Sequence, residues 1–212
     1  MANRISTDGR GPGAPSRAPL SRTSGRAGGR PGGWPGLAAA GWGLLFAVPS
    51  LVWATGSSFG ARTTVAPSLV KLAEDRVAWF VAVLWLTGLL KILGAVVGIG
   101  LTRRRGRWTG RLLALSGAGA AVLLGWHGAA FVVHGTLVET GARTVPPDLA
   151  GLTRWYLFLW GPWFVAGGLA FAAATLRYVR RLDPRAGTRR PAALGASGAA
   201  LLSLLSTVTG IG

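Results

Sequence analysis

Four stretches of this chain, at about 36–56, 78–101, 112–138 and 155–176, each run for more than twenty residues, with a single Lys or Arg, Lys91, among them. As a helix rising 1.5 Å per residue, each can cross a hydrocarbon layer of roughly 30 Å. Inside such a layer no water pairs with the backbone, so amides must be satisfied within their own segment and helices are the expected form. The alternating pattern of barrel strands is absent. Trp79 and Phe80 open the second run and Trp155 and Tyr156 the fourth, where aromatic rings anchor a membrane edge. Charged residues make up 14% of the chain, against about 25% in soluble proteins, so water is a poor main solvent.

A net charge of +17 on a soluble domain would suggest nucleic acid. Here the basic residues gather between long uncharged runs, the pattern of membrane flanks, and a nucleic-acid partner is not expected. Six Arg lie in the first 35 residues, five between runs two and three (Arg103, Arg104, Arg105, Arg107, Arg111) and six from Arg177 to Arg190. The other two links hold five basic residues, Arg62, Lys71, Arg76, Arg143 and Arg154, together with four of the six acids. The positive-inside rule then puts both termini in the cytoplasm of a multi-pass plasma-membrane protein. Without cysteine, thiolate metal sites and disulfides are excluded.

Residues 1–35 are rich in Arg, Gly, Pro and Ser and carry too little apolar surface to fold, so they read as a disordered cytoplasmic tail. Residues 36–180 form the transmembrane domain, and 181–212 a basic linker with a weakly hydrophobic end. That end, "AALGASGAALLSLLSTVTGIG", is just long enough to span but is thinned by Gly, Ser and Thr. It is expected to be interfacial or loosely ordered.

The two sparse links share "GARTTVAPSL" at 60–69 and "GARTVPPDL" at 141–149, and upstream "GWGLLFAV" at 41–48 parallels "GWHGAAFVV" at 125–133 after one gap. The chain thus reads as a tandem repeat of a helix, link, helix unit, with a pseudo-twofold along the membrane normal. Small-residue rows that would let helices approach are Gly117, Ala121, Gly125 and Ala129 in run three, Gly94 and Gly98 in run two, and Ala166, Ala170 and Ala174 in run four. Pro49 and the Gly161-Pro162 pair are expected to kink their helices and open backbone carbonyls.

Lys91 lies thirteen residues into run two, at a depth similar to that of His127 in run three; His134 is one heptad further along the same face. A charge at the bilayer centre costs about 2.5–3.5 kcal/mol, so Lys91 should face the bundle or water. The expectation is that it faces run three, with His127 or freed carbonyls accepting its protons. The plain alternative has Lys91 snorkelling or neutral and the histidines packing. A binding reading makes Lys91, His127 and His134 a small polar cavity for an anionic headgroup, a quinone or a proton path. Catalysis would need a carboxylate, a Ser-His-Asp set or a metal-ligand spacing within the membrane, and none is present; no cofactor is expected.

The segments "GWGLLFAVPSLVWATG", "TVAPSLVKLA", "FVAVLWLTGLLKILGAV" and "LTRWYLFLWGPWFVAGGLAFAAATLRY" resemble the small bacterial membrane proteins catalogued as domain of unknown function 3995, over about residues 36–180. The resemblance implies a four-helix integral membrane protein and carries no chemistry. The functional expectation is a non-enzymatic membrane-embedded binding or interaction component, partnered by the lipid bilayer and by a second copy or another membrane protein. The alternative is a small transporter or proton-coupled channel using Lys91 and His127.

Overall fold

Helix is the form taken wherever the sequence is continuously apolar. A computed structural model describes residues 33–61, 64–103, 105–182 and 187–209, so the tail expected to be disordered lies, up to residue 32, outside the described residues. Among them there is no strand. Helix α1 spans Trp34–Ala54, α2 Pro67–Glu74, α3 Ala78–Gly100 and α4 Arg107–Glu139; α5, Pro147–Trp155, continues through a π-helical turn at Tyr156–Trp160 into α6, Gly161–Arg181; α7 is Arg189–Thr209. Among the described residues, five helical stretches, with α5 to α6 counted as one, are long and apolar enough to cross a membrane. Many of their large apolar side chains, such as Leu86, Leu90, Leu93 and Leu169, are exposed, as a lipid solvent permits.

Among the described residues the membrane-length helices therefore number five, where the sequence reading has four and an end that is interfacial or loosely ordered. Residues 189–209 form a continuous helix because the small residues that thin them create a packing face. Gly195, Ala199, Ser203 and Thr207 recur every four positions. A Cβ at Gly195 would collide with the Leu115 carbonyl of α4. Ala199 and Ser203 are buried, and the Trp126 indole N–H donates to Thr207 Oγ1 at 3.1 Å. Helix α7 thus runs parallel to α4.

The principal contacts join α3 to α1, α1 to α6, α6 to α4 and α4 to α7. Helices α1 and α3 approach through Gly36, Gly43 and Gly98: a Cβ at Gly98 would lie 2.7 Å from the Ala40 nitrogen. Helices α4 and α6 approach through Gly128, Gly161 and Gly168, the last of which would place a Cβ 2.8 Å from the Gly125 nitrogen and 3.0 Å from the Ala121 oxygen. Of the row expected in run three, Gly117, Ala121 and Gly125 face α6, where Gly117 meets Thr175, and Ala129 is exposed. On α6 the face toward α4 is Gly161, Val165, Gly168 and Thr175; of the alanine row Ala166 is exposed, Ala170 half-buried and Ala174 buried. At the Arg-rich end, Leu101 joins Ala174 and Tyr178 in a buried cluster.

The two outer links share their local geometry. Gly60 and Gly141 are both left-handed, with φ of 71° and 75°. Helices α2 and α5 each begin at a proline, Pro67 and Pro147, preceded by an extended residue; a proline's missing N–H costs nothing in a first turn. The first link folds over its helix pair as a small core of Trp53, Ala61, Val70, Ala73, Phe80 and Leu84. Trp53 donates its indole N–H to the Phe59 carbonyl at 2.8 Å.

Gly98→Ala is expected to destabilise the protein in detergent by about 1–3 kcal/mol through overpacking. Gly41→Ala, where nothing lies within 4 Å of the new Cβ, should be neutral or stabilising by up to about 1 kcal/mol. Thermal unfolding followed by far-UV circular dichroism compares the two, and equal midpoints would refute glycine-mediated contact between α1 and α3.

Candidate functional site

Gly43 brings the backbones of α1 and α3 together at Lys91: a Cβ there would sit 3.1 Å from the Lys91 carbonyl oxygen. The Lys91 side chain therefore reaches back onto α1, not across to α4. Its ammonium donates to Ser50 Oγ at 2.7 Å and lies 3.7 Å from the centroid of the Phe46 ring. Ser50 is 3% exposed, so this is an interior pairing of a cation with a hydroxyl dipole and an aromatic face. Each interaction is worth more where water is scarce.

The expected Lys91–His127 contact is not formed. The physical reason is connectivity: α3 packs on α1, and α4 packs on α6, so two aromatic side chains intervene. Phe46 meets Phe164 edge-on with centroids 5.0 Å apart, and Phe164 meets His127 at 4.8 Å. His127 also packs on Phe131 at 4.4 Å. His134 stands apart from both, near the link end, where Arg143 Nη1 donates to its Nδ1 at 3.2 Å.

The cluster that joins the halves is aromatic. Trp42 of α1 donates its indole N–H to the Trp163 carbonyl at 2.9 Å and contacts the rings of Phe46, Trp163, Phe164 and Phe171. Phe131 stacks on Tyr156 at 4.5 Å with planes 10° apart. The Tyr156 hydroxyl then donates to the Thr64 carbonyl of the first link at 2.8 Å, which ties the second helix pair to the first.

Both expected kink sites border this join. Pro49 lies inside α1 and has no N–H to offer the Leu45 carbonyl. Pro162 likewise offers none to Phe158, and the chain adapts by widening to a π-turn over Tyr156–Trp160, closed by the Gly161 N–H on the Tyr156 carbonyl. Between the two sites lies a groove of about 240 Å³ lined by Leu45, Phe46, Pro49, Leu159, Trp160 and Trp163. A second hollow, about 450 Å³, lies against α2 at Pro67, Val70, Lys71, Glu74 and Asp75.

Ser50, Phe46, Trp42, Trp163 and Phe164 are the site residues that the sequence reading passes over. A signal for them exists: Trp42 and Phe46, and Trp160 and Phe164, each fall four apart on one helix face. The serine has no such signal.

Ser50→Ala strands the Lys91 ammonium and should lower stability by about 1–3 kcal/mol. In a Lys91→Met background the same change should cost close to nothing, and Lys91→Met alone should keep the helical content. Thermal melts of the four proteins close this cycle. The same penalty in both backgrounds would mean that the hydroxyl does not hold the ammonium.

No curated protein and no solved structure matches the chain. The family described as "Protein of unknown function (DUF3995)" matches residues 43–171, which takes in α3 and α4 whole, with Phe46, Ser50, Lys91, His127 and Phe164. The chain belongs to that family.

Proposed function

We propose that this protein is a non-enzymatic binding component of the plasma membrane, and that the groove between α1 and α6 is where it binds. The observation that carries this reading is the groove itself. It sits at the join of the two helix pairs, is walled by Phe46, Trp160 and Trp163, and is bounded by the two prolines that interrupt regular hydrogen bonding. Phe46, one of its walls, carries the Lys91 ammonium. Rigid aromatic walls offer a lipid-phase ligand shape complementarity that mobile acyl chains lack.

The tandem repeat is part of the same reading. Its support is the paired left-handed glycines and N-terminal prolines of the links. Gly43 and Gly128, matched in the two "GW" segments, each face the partner helix. Phe46 and Phe131, also matched, both pack on Phe164. Both termini are cytoplasmic in this reading, with α7 leaning on α4 without completing a crossing over 189–209. Thr207 pairs with Trp126, about thirteen residues short of the end of α4 at Glu139, or roughly 20 Å along the helix. Transport coupled to Lys91 and His127 ranks second, because Phe46 and Phe164 stand between them and a proton path needs a continuous polar chain.

Filling the groove with Leu45→Trp or Leu159→Trp should at least halve any lipid-phase compound that co-purifies with the wild type, read by organic extraction and mass spectrometry. An identical extract from wild-type and filled proteins counts against the groove. For the topology, alkaline phosphatase inserted within 141–147 should be active, and the same enzyme fused after Gly212 should be inactive. Activity at Gly212 would make α7 a completed span.

A further inference from the structure

The Arg-rich end of the bundle holds a second polar constellation, remote from the groove. Tyr178 of α6 is 3% exposed, and its hydroxyl has no hydrogen-bond partner. Nε of Arg111, on α4, is buried and equally unpartnered. An orphaned buried donor costs about 1–3 kcal/mol, so two of them in one place call for an explanation.

Both groups converge on the start of α7. Gly110 leaves space beside the phenol: a Cβ there would lie 3.0 Å from the Tyr178 oxygen and 3.9 Å from Cγ2 of Thr188. Arg111 reaches the residue before that threonine, since a Cβ at Gly187 would lie 3.0 Å from Arg111 Nη2. Thr188 is 4% exposed and begins the helix, its carbonyl taking the Ala192 N–H at 3.1 Å. The amides of Arg189 and Arg190 therefore have no acceptor inside α7, and the helix dipole adds positive potential at the same point. Among the described residues the four acids, Glu74, Asp75, Glu139 and Asp148, all lie at the opposite end.

A phenol O–H, a guanidinium N–H and two helix-start amides, with no carboxylate beside them among the described residues, form a set of donors seeking an anion. We propose that the donor cluster of Arg111, Tyr178 and the start of α7 binds a phosphate group, supplied by an anionic phospholipid headgroup or as free inorganic phosphate. The arginines around it mark the depth at which headgroups lie, and occupancy would pin α7 against α4 and α6.

The test uses the full chain in nanodiscs of phosphatidylcholine, with phosphatidylglycerol titrated in or with inorganic phosphate added, followed by thermal unfolding. Phosphatidylglycerol should raise the wild-type midpoint. In Arg111→Lys, which keeps the charge and loses the fork, the apparent affinity should fall roughly tenfold, the worth of one charge-assisted hydrogen bond. Tyr178→Phe should be at least as stable as wild type in pure phosphatidylcholine, where it removes an orphan, and less stable with phosphatidylglycerol. Arg180→Gln, an exposed charge at the same end, should respond as wild type. A phosphate effect in phosphatidylcholine that the two site variants lose assigns the free anion as a source; an effect of phosphatidylglycerol alone assigns the headgroup. The proposal is overturned if the wild type responds to neither, if both site variants respond as wild type, or if Arg180→Gln loses as much as they do.

Discussion

Every long segment of this protein answers one constraint, the obligation of backbone amides to find partners where no water can serve. Helices meet it within themselves, and in doing so they leave side chains as the sole means of association. Leucine gains little by leaving lipid for another helix, so contact depends on how closely backbones approach. That is why Gly36, Gly43 and Gly98 join α1 to α3, and Gly128 and Gly168 join α4 to α6. The same rule turns the Gly and Ser of residues 189–209 into the face that holds α7 on α4.

Where the two helix pairs meet, the device changes from small residues to rings. Trp42, Phe46, Trp163 and Phe164 fill the space between α1 and α6, and the two prolines and the π-turn prevent the helices from closing on it as regular cylinders. The groove is the result. Lys91 is held beside this join by Ser50 and Phe46. Its charge is accommodated by a neutral hydroxyl and an aromatic face, an arrangement that keeps the cation inside the bundle without a buried carboxylate.

The polar chemistry of the molecule is segregated by end. The links carry four of the six acids and the short helices, with Arg154 on Glu139 at 2.7 Å and Tyr156 tied to Thr64, so that the face is shaped by specific bonds. The opposite end is basic, and there Arg111 Nε and the Tyr178 hydroxyl are buried without hydrogen-bond partners. A partner from outside the chain suits that end, whereas the link end satisfies much of itself.

Segment length, apolarity and Arg placement are one-dimensional properties, and the sequence by itself determined the all-helical form, the positions of the first two runs to within two residues and of the next two to within eight, the interrupted helix at Gly161-Pro162, and the family. Which helices touch is not one-dimensional. Depth along the membrane placed Lys91 level with His127, but depth says nothing about azimuth, and the pairing of α3 with α1 turned the ammonium toward Ser50 and left Phe46 and Phe164 between it and the imidazole. Likewise, low hydrophobicity counted against residues 189–209 until α4 supplied the surface that makes small residues adhesive. Tertiary structure decided those matters because contact in lipid is set by the fit of two surfaces, and a single segment's composition describes only one of them.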